Sequence, residues 1–193
     1  MNAMAKVVLS MFVSLDFYIE GPGGEFVPPA WSDDLSRHWS GYALERAGHL
    51  LYGRVNFLFN KGFWSAADTD PESPAAGIAY AGTMNRLPKT VFSRTLSGDP
   101  GWNAELSGDV QGSVERLKSE AEGDLYCFGG AGLAQSLAAL DLVDEYRLMV
   151  TPTLLGDGKR LFEGGRPRIP LTLLDAKRLD TGAVIIRYER DRS

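Results

Sequence analysis

The sequence is poor in the residues that build disulfides and metal centres. Among its 193 residues there is one cysteine, Cys127, and there are two histidines, His38 and His49. A single cysteine excludes a disulfide within the chain, which is typical of proteins from reducing compartments, so we expect a cytoplasmic protein. So few Cys and His side chains also exclude a zinc centre built from these ligands, and we predict no metal site.

The chain also lacks long apolar runs and an excess of basic residues. No apolar run approaches the ~20 residues that a membrane-spanning helix needs. The N-terminal run KVVLSMFVSLDF is short, lacks a small-residue cleavage site and ends beside Asp16, so it predicts a buried strand rather than a signal peptide. The formal net charge is −5, whereas a general nucleic-acid-binding protein is usually basic. We therefore expect neither a membrane nor a nucleic acid as partner.

The composition is that of an ordinary soluble domain. Hydrophobic residues make up 44% of the sequence and charged residues 23%. This length suits one domain with a large core, and no internal repeat or long linker divides the chain. We therefore predict a single domain over residues 1–193.

Strand and helix patterns alternate early in the chain, and strands dominate late. This order predicts an α/β fold with a mixed, mostly parallel sheet and an antiparallel C-terminal edge, closed by a turn at 180–182. The apolar runs interpreted as strands are residues 5–13, 48–53, 89–93, 124–130, 145–155, 171–179 and 183–190.

Helix signals lie between these strands. Ser32 is a predicted N-cap, followed by acidic residues that favour the helix dipole. Ser73 and Pro74 suggest the start of a second, short helix. Further helices are predicted from residue 54, over 112–123 and over 131–142.

A glycine-rich turn separates the fourth predicted strand from a helix. Backbone N–H groups at a helix N-terminus attract anions, and glycine lets an anion approach them closely. The turn therefore suits a diphosphate, although such turns serve as plain connections about equally often. Gln135 occupies the last position of a G-x-G-x-x-G fingerprint, so that fingerprint is absent. The residues of the turn are Gly129, Gly130, Ala131, Gly132, Leu133 and Ala134.

Two further turns carry an arginine directly after a predicted strand. Arg54 follows Gly53, and Arg94 lies between the hydroxyls of Ser93 and Thr95, a pattern that could bind a terminal phosphate. Taken alone, each arginine could equally be a solvated surface side chain that binds no ligand. Because all three turns follow strand ends of one sheet, they predict a long anionic ligand, namely a dinucleotide with an additional phosphate.

Four segments occur in the order and spacing of the dihydrofolate reductase superfamily. They are SLDFYIEGPGGEF, LLYGRVNF, KTVFSRTL and GGAGLAQSLAALDLVDEYRLMVTPTLLGDGKRLF. From Lys6 to Glu189 the chain more narrowly resembles the C-terminal reductase domain of the bacterial bifunctional riboflavin deaminase-reductase and its stand-alone relatives. The resemblance implies a dihydrofolate reductase-like sheet of about eight strands flanked by helices, NADPH as hydride donor and a homodimer.

The resemblance also assigns cofactor-binding roles. The residues implied beside the nicotinamide are Val13, Ser14 and Ile19. Those of the first cofactor-binding turn are Gly53, Arg54, Val55 and Asn56, and those around the 2′-phosphate are Ser93, Arg94 and Thr95. The turn from Gly129 to Ala134 would lie under the diphosphate, with a cis peptide between Gly129 and Gly130 as in relatives.

The acceptor side is less defined. Asp34 resembles the acid that contacts the pterin ring in dihydrofolate reductases, although a first-turn acid also simply favours the helix dipole. Asp16 faces the site in the family pattern or only braces its loop. Tyr18 and Trp31 could stack on a flat heterocycle or serve as packing.

These residues predict an NADPH-dependent reductase of a small heterocyclic substrate. The closer branch implies an activity like that of 5-amino-6-(5-phosphoribosylamino)uracil reductase, and Asp34 suggests a dihydrofolate or pteridine reductase as the alternative. Phe17 replaces a glycine usual in relatives, and Asn56 replaces a threonine. These departures leave open a third hypothesis, a non-catalytic NADP(H)-binding dimeric protein.

Overall fold

The computed structural model describes residues 4–164 and 168–192, so Met1, Asn2 and Ala3 lie outside the described residues. The described strands are β1 (Val7–Val13), β2 (Tyr18–Glu20), β3 (Ala47–Gly53), β4 (Lys89–Phe92), β5 (Ala104–Ser107), β6 (Asp124–Cys127), β7 (Glu145–Val150), β8 (Lys159–Arg160), β9 (Leu171–Arg178) and β10 (Val184–Arg190). The described helices are α1 (Asp33–Leu35), α2 (Tyr42–Leu44), α3 (Arg54–Trp64), α4 (Ala81–Arg86), α5 (Val110–Glu120) and α6 (Ala131–Ala139), with a π-helical segment (Ser36–Gly41) between α1 and α2.

Eight of the strands form one mixed sheet. Their order is β5-β4-β3-β6-β1-β7-β10-β9, while β2 and β8 pair separately. Every neighbouring pair from β5 to β7 is parallel, and β10 runs antiparallel to both β7 and β9. The predicted fold class is confirmed: a mostly parallel α/β sheet with an antiparallel C-terminal edge.

The central strand β1 is buried on both faces, as its continuous apolar run predicts. Val7, Leu9 and Met11 pack in one cluster with residues of α5 and α6, whereas Val8 packs on the opposite face with Tyr126 and residues of α3 and α4. The sheet therefore separates two helical layers, and side chains alternate between them along the strand.

Several sequence predictions of local structure are wrong. Ser73 does not cap a helix: the chain forms turns there, Gly77 has a φ of +77°, and the helix begins only at Ala81. A residue with a left-handed backbone conformation interrupts a helix, so the helix begins only after Gly77. The strand predicted over 145–155 ends at Val150, and the strand β5 was not predicted because its sequence, AELS, lacks an apolar pattern.

A buried arginine holds the N-terminal helical region on the sheet. The Arg147 guanidinium, on β7, donates to Ser10 Oγ (3.0 Å) and to the carbonyls of His38 (2.6 Å) and Trp39 (3.0 Å). It also stacks on the Trp39 ring, with 4.2 Å to the ring centroid. The two carbonyls belong to the π-helical segment. The predicted Ser32 N-cap is confirmed at the start of α1, where Ser32 Oγ accepts from Leu35 N.

A second, partly buried polar network ties β3, β4 and β5 together. His49 Nε2 lies 2.9 Å from Thr90 Oγ1, which donates to Glu105 Oε1 at 3.0 Å, and Arg116 binds the same carboxylate oxygen at 2.7 Å. Because the Thr90 proton goes to Glu105, His49 Nε2 must be the donor in this chain. Burial is the main cause that lowers the pKa of His49 to about 4.

The His49 network predicts a loss of stability in mild acid. Unfolded His49 takes up a proton near its ordinary pKa of 6.5, whereas folded His49 does so only near 4, so the free energy of unfolding falls as the pH drops through this window. Urea unfolding at pH 7 and pH 5 measures the loss. The His49→Gln variant keeps a donor to Thr90 but cannot titrate, so its stability should change less between the two pH values. An unchanged pH dependence in this variant would contradict the assignment.

Candidate functional site

The three turns singled out in the sequence lie at one edge of the sheet. The turns at Gly53, Ser93 and Gly129 follow β3, β4 and β6, which are neighbours in the order β4-β3-β6 and run parallel. The carboxyl ends of parallel strands meet at the same edge, where ligands of open α/β sheets bind. The structure thus brings together segments that are far apart in the chain.

Two of these turns are in direct contact. The Gly53 amide donates to the Gly129 carbonyl at 3.3 Å. Gly129 has a φ of +126°, and a Cβ on it would lie 3.1 Å from Asn56 Nδ2 and 3.4 Å from Met11 Cε. Only glycine meets both conditions without strain. The Gly129–Gly130 peptide is cis, as the resemblance implied.

Two helices begin at this edge with bare N-termini. The N-caps of α3 and α6 are Gly53 and Gly130, and neither helix has a side-chain capping bond, whereas Ser32 and Asp109 cap α1 and α5. A Cβ built on Gly130 meets no heavy atom within 4 Å, so the space in front of it is open. Free N–H groups, the helix dipole and open space together suit an anion such as a diphosphate.

The remaining residues of the turns at Gly53 and Gly129 either contact the neighbouring turn, are exposed or are buried in the core. Asn56 faces Gly129 with its amide nitrogen, while its Oδ1 accepts from Asn60 Nδ2 at 3.0 Å. Val55 is 71% exposed on α3. The side chains of Ala131, Leu133 and Ala134 are buried in the core, so this part of α6 offers a ligand its backbone.

Two unpaired cations flank the same edge. Arg54 and Arg94 are exposed, and neither forms a hydrogen bond or ion pair within the described part of the chain. Ser93 Oγ accepts from the amides of Thr95 (3.1 Å) and Leu96 (2.9 Å), which orders the turn around Arg94. The Ser93 hydroxyl proton is still free to be donated. The edge is therefore positively charged and rich in donors.

A narrow, partly open cleft lies beside this edge, between the ends of β1 and β7. Its lining includes Val13, Ser14 and Ile19, which the resemblance assigned to the nicotinamide, and also Tyr18. None of the lining side chains is charged. Trp31 is not among them and is 56% exposed. The remaining lining residues are Phe12, Phe26, Val27, Thr151, Thr153 and Leu155.

Sequence reasoning missed Thr151 and Thr153, because it extended the strand over them. Their lining position follows from the end of β7 at Val150, after which Leu15 N donates to the Thr153 carbonyl at 2.8 Å. Pro152 was the available signal, since proline is excluded from the interior of a central strand.

Asp16 braces the loops around the cleft. Its Oδ1 accepts from Ser14 Oγ (2.6 Å) and Leu155 N (3.1 Å), and its Oδ2 accepts from Gly156 N (2.8 Å). The Ser14 hydrogen bond, followed by those from the Gly156 and Leu155 amides, lowers the pKa of Asp16 to about 2. The carboxylate is therefore ionised at neutral pH and joins the loop after β1 to the loop after β7.

Asp34 makes contacts away from the cleft. Its Oδ2 accepts from Asp180 N at 3.1 Å, and its Oδ1 lies 3.4 Å from His38 Nε2. It is not among the lining residues. The geometry gives this carboxylate a bracing function between α1 and the turn that joins β9 to β10.

Two observations bear on metals and membranes. No group of three or more His, Cys, Asp or Glu side chains in residues 4–164 and 168–192 could hold a metal ion. Within the same ranges, no helix has the length and apolar character needed to cross a bilayer.

Comparison with known families and proteins gives two sequence matches. The profile of the RibD C-terminal domain matches residues 5–185. The uncharacterized protein YyaP of Bacillus subtilis (strain 168) is 30% identical over 185 residues, which cover 95% of this chain and 94% of that protein. The matches span nearly the whole chain, including all three turns and the cleft.

Solved structures share the fold. A candidate riboflavin biosynthesis protein from Shewanella sp. PV-4 is similar with a TM-score of 0.74 and 21% identity, covering 98% of this chain and 100% of that one. A diaminohydroxyphosphoribosylaminopyrimidine deaminase/5-amino-6-(5-phosphoribosylamino)uracil reductase from Thermotoga maritima is similar with a TM-score of 0.68 and 15% identity, covering 97% of this chain but 57% of that one. At these identities the likeness shows the fold alone.

The contacts of Asp34 predict that its charge is dispensable for turnover. In Asp34→Asn the amide oxygen still accepts from Asp180 N, so we expect a folded protein with nearly unchanged kcat and pH profile. A general acid would instead contribute about 100-fold or more to the rate. Steady-state kinetics from pH 5 to 9 distinguish these roles, with Asp33→Asn as the matched control on the same helical turn. A loss of that size in Asp34→Asn alone would identify Asp34 as the proton donor.

Proposed function

We propose that this chain, which belongs to the RibD C-terminal domain family, is an NADPH-dependent reductase of a small heterocyclic acceptor related to the pyrimidine ribosylamine of riboflavin biosynthesis. One observation carries the proposal: two uncapped helix N-termini and two unpaired arginines lie at one sheet edge beside an uncharged cleft. Family membership supports the class of reaction, and the charges at the edge support the cofactor.

The residues present fit NADPH. Its diphosphate would lie at the N-terminus of α6, where backbone N–H groups have no side-chain cap. Its 2′-phosphate would lie at the turn after β4, between the Arg94 guanidinium and the free proton of Ser93. NADH lacks the 2′-phosphate, so this turn would decide between the two cofactors.

The cleft would hold the nicotinamide and the acceptor. When bound, the cofactor supplies a hydride to the acceptor carbon of a C=N bond and is released in its oxidised form. Val13, Ser14 and Ile19 would orient the nicotinamide ring against the acceptor. Among the residues that the structure describes, the lining includes no carboxylate, imidazole or amine, so the proton that the acceptor nitrogen needs would come from solvent.

Cofactor discrimination tests the proposal. Wild-type protein should bind NADPH more tightly than NADH, and Arg94→Ala should narrow this gap about 10-fold or more because a charge-assisted bond is lost. Fluorescence titration with both cofactors measures the affinities. Arg86→Ala is the matched control, since Arg86 is an exposed arginine just before the other end of β4. Equal affinity of wild-type protein for both cofactors would refute the Arg94 assignment.

A second measurement separates enzyme from binding protein. NADPH oxidation in the presence of pyrimidine ribosylamines, dihydropteridines and flavins would support the reductase. Binding of NADPH without oxidation by any acceptor would favour a non-catalytic NADP(H)-binding protein, and no binding would refute both.

We also propose that the chain forms a homodimer through β9. This eight-residue strand lies at the edge of the sheet. Seven of its eight residues are exposed, and they include residues on both faces of the sheet. Leu171, Leu173 and Leu174 are 41%, 54% and 40% exposed. A long, apolar edge strand is a template for association unless it is covered, so a second copy of this edge is the occupant that we infer.

The dimer predicts a charge-sensitive edge. Leu173→Glu places a carboxylate in the apolar interface and should convert the dimer into a monomer. Light scattering coupled to size exclusion, at several protein concentrations, measures the mass. Leu140→Glu is the control, because Leu140 is 43% exposed at the end of α6. A monomeric wild type, or a dimeric Leu173→Glu, would contradict the proposal.

A further inference from the structure

We propose that the acceptor is a flat, uncharged ring system without a phosphate group, and that Phe17 forms part of the apolar surface that selects it. This inference rests on the proposed reductase function and narrows its acceptor. Three features of the segments after β1, β2 and β7 carry it: the uncharged lining of the cleft, the charges around the cleft and the exposed apolar side chains beside it.

The cleft offers hydroxyls and apolar surface but no cation. Its ten lining residues are aromatic, aliphatic or hydroxyl-bearing. The Thr151 and Thr153 hydroxyls have no hydrogen-bond partner among the residues that the structure describes. Such hydroxyls suit the polar edge of a neutral heterocycle, whereas a phosphate dianion removed from water needs arginine, lysine or a helix N-terminus.

The chain segments that line the cleft do not favour an anion. Residues 12–27 and 151–155 contain all the lining residues and carry three carboxylates but no lysine or arginine. Asp16 is ionised, and Glu25 binds Gly23 N. From the neighbouring strand β8, Lys159 lies 3.8 Å from Glu20, and the Arg160 guanidinium lies 4.7 Å from the ring centroid of Tyr18, a lining residue. Arg160 is therefore the cation that we would test as a phosphate ligand.

The segments that follow β1, β2 and β7 and supply the lining of the cleft also carry exposed apolar side chains. Exposed apolar surface beside a cleft is typical of a ligand-binding groove. The exposed members are Leu15 (59%), Phe17 (39%), Phe26 (50%), Val27 (38%), Trp31 (56%) and Leu154 (69%).

Phe17 occupies a position that favours glycine. Its φ is +63°, in the left-handed region that large side chains rarely adopt. The conformation is held on both sides, because Phe17 N donates to Ser14 O (2.9 Å) and Phe17 O accepts from Leu161 N (3.1 Å). Glycine would adopt this conformation without strain. Phe17 lies between the lining residues Ser14 and Tyr18 and is 39% exposed, so its ring would be available to a ligand in the cleft.

The first test compares two acceptors that differ only in a phosphate. We would measure kcat and KM for an aminopyrimidine ribosylamine and for its 5′-phosphate, at low and high salt and with saturating NADPH. We expect a KM for the unphosphorylated acceptor that is no higher than that for the phosphate ester, with little salt dependence. The Arg160→Gln variant should leave both values unchanged. A preference of about 10-fold or more for the ester, lost in high salt or in Arg160→Gln, would overturn the inference.

The second test separates the ring of Phe17 from its backbone strain. Phe17→Ala removes the ring and keeps the strain, whereas Phe17→Gly removes both. Both variants should raise KM for the uncharged acceptor about 10-fold, with kcat and NADPH affinity retained, because aromatic stacking is lost. Phe59→Ala, which truncates a 65% exposed ring on α3, should leave KM unchanged. An unchanged KM in Phe17→Gly would overturn the role of the ring.

The outcomes distinguish this inference from the function on which it rests. NADPH binding is measured separately by fluorescence, in the absence of acceptor. NADPH oxidation with the phosphate ester alone would overturn the inference and leave the reductase function standing. NADPH binding without oxidation by either ribosylamine or by any dihydropteridine or flavin would overturn both.

Discussion

The hydrogen bond from the Gly53 amide to the Gly129 carbonyl is the contact on which the site depends. It joins the turns at the ends of β3 and β6, from which α3 and α6 begin with uncapped N-termini. A side chain on Gly129 would disturb this approach, since its Cβ would lie 3.1 Å from Asn56 Nδ2 and 3.4 Å from Met11 Cε. This close approach allows two helix dipoles to act on one ligand, where either N-terminus alone would be a weak anion site.

The edge has two regions of different electrostatic character. Over β4, β3 and β6 it presents bare N–H groups and the unpaired Arg54 and Arg94. Over β1 and β7 it presents an uncharged cleft, whose loops are braced by an ionised but fully engaged Asp16. The phosphates of a cofactor would therefore be attracted to the region over β4, β3 and β6. An acceptor without phosphates would not be, so charge alone would favour its binding in the cleft over β1 and β7.

Sequence reasoning succeeded where one local pattern dominates. The largely apolar run of β1, the Ser32 cap and the glycine turn before α6 each depend on neighbouring residues only, and each is found in the structure. It failed at two strand boundaries. The strand β5 exists because it pairs with β4 at the sheet edge, which its weak apolar pattern does not indicate. The loop after β7 leaves the sheet to line the cleft, and the proline at position 152 that signals this end was overlooked.

The sequence by itself determined the class of fold, the three turns that suit phosphates and the family, because strand and helix periodicities and turn chemistry are local properties. Only the tertiary structure decided which carboxylates are free to act. Asp16 and Asp34 both looked available for an acceptor, yet Asp16 binds the amide of Leu155, 139 positions away, and Asp34 binds that of Asp180, 146 positions away. Partners so distant are set by the order of strands in the sheet and by the packing of its loops, which no local pattern of residues encodes.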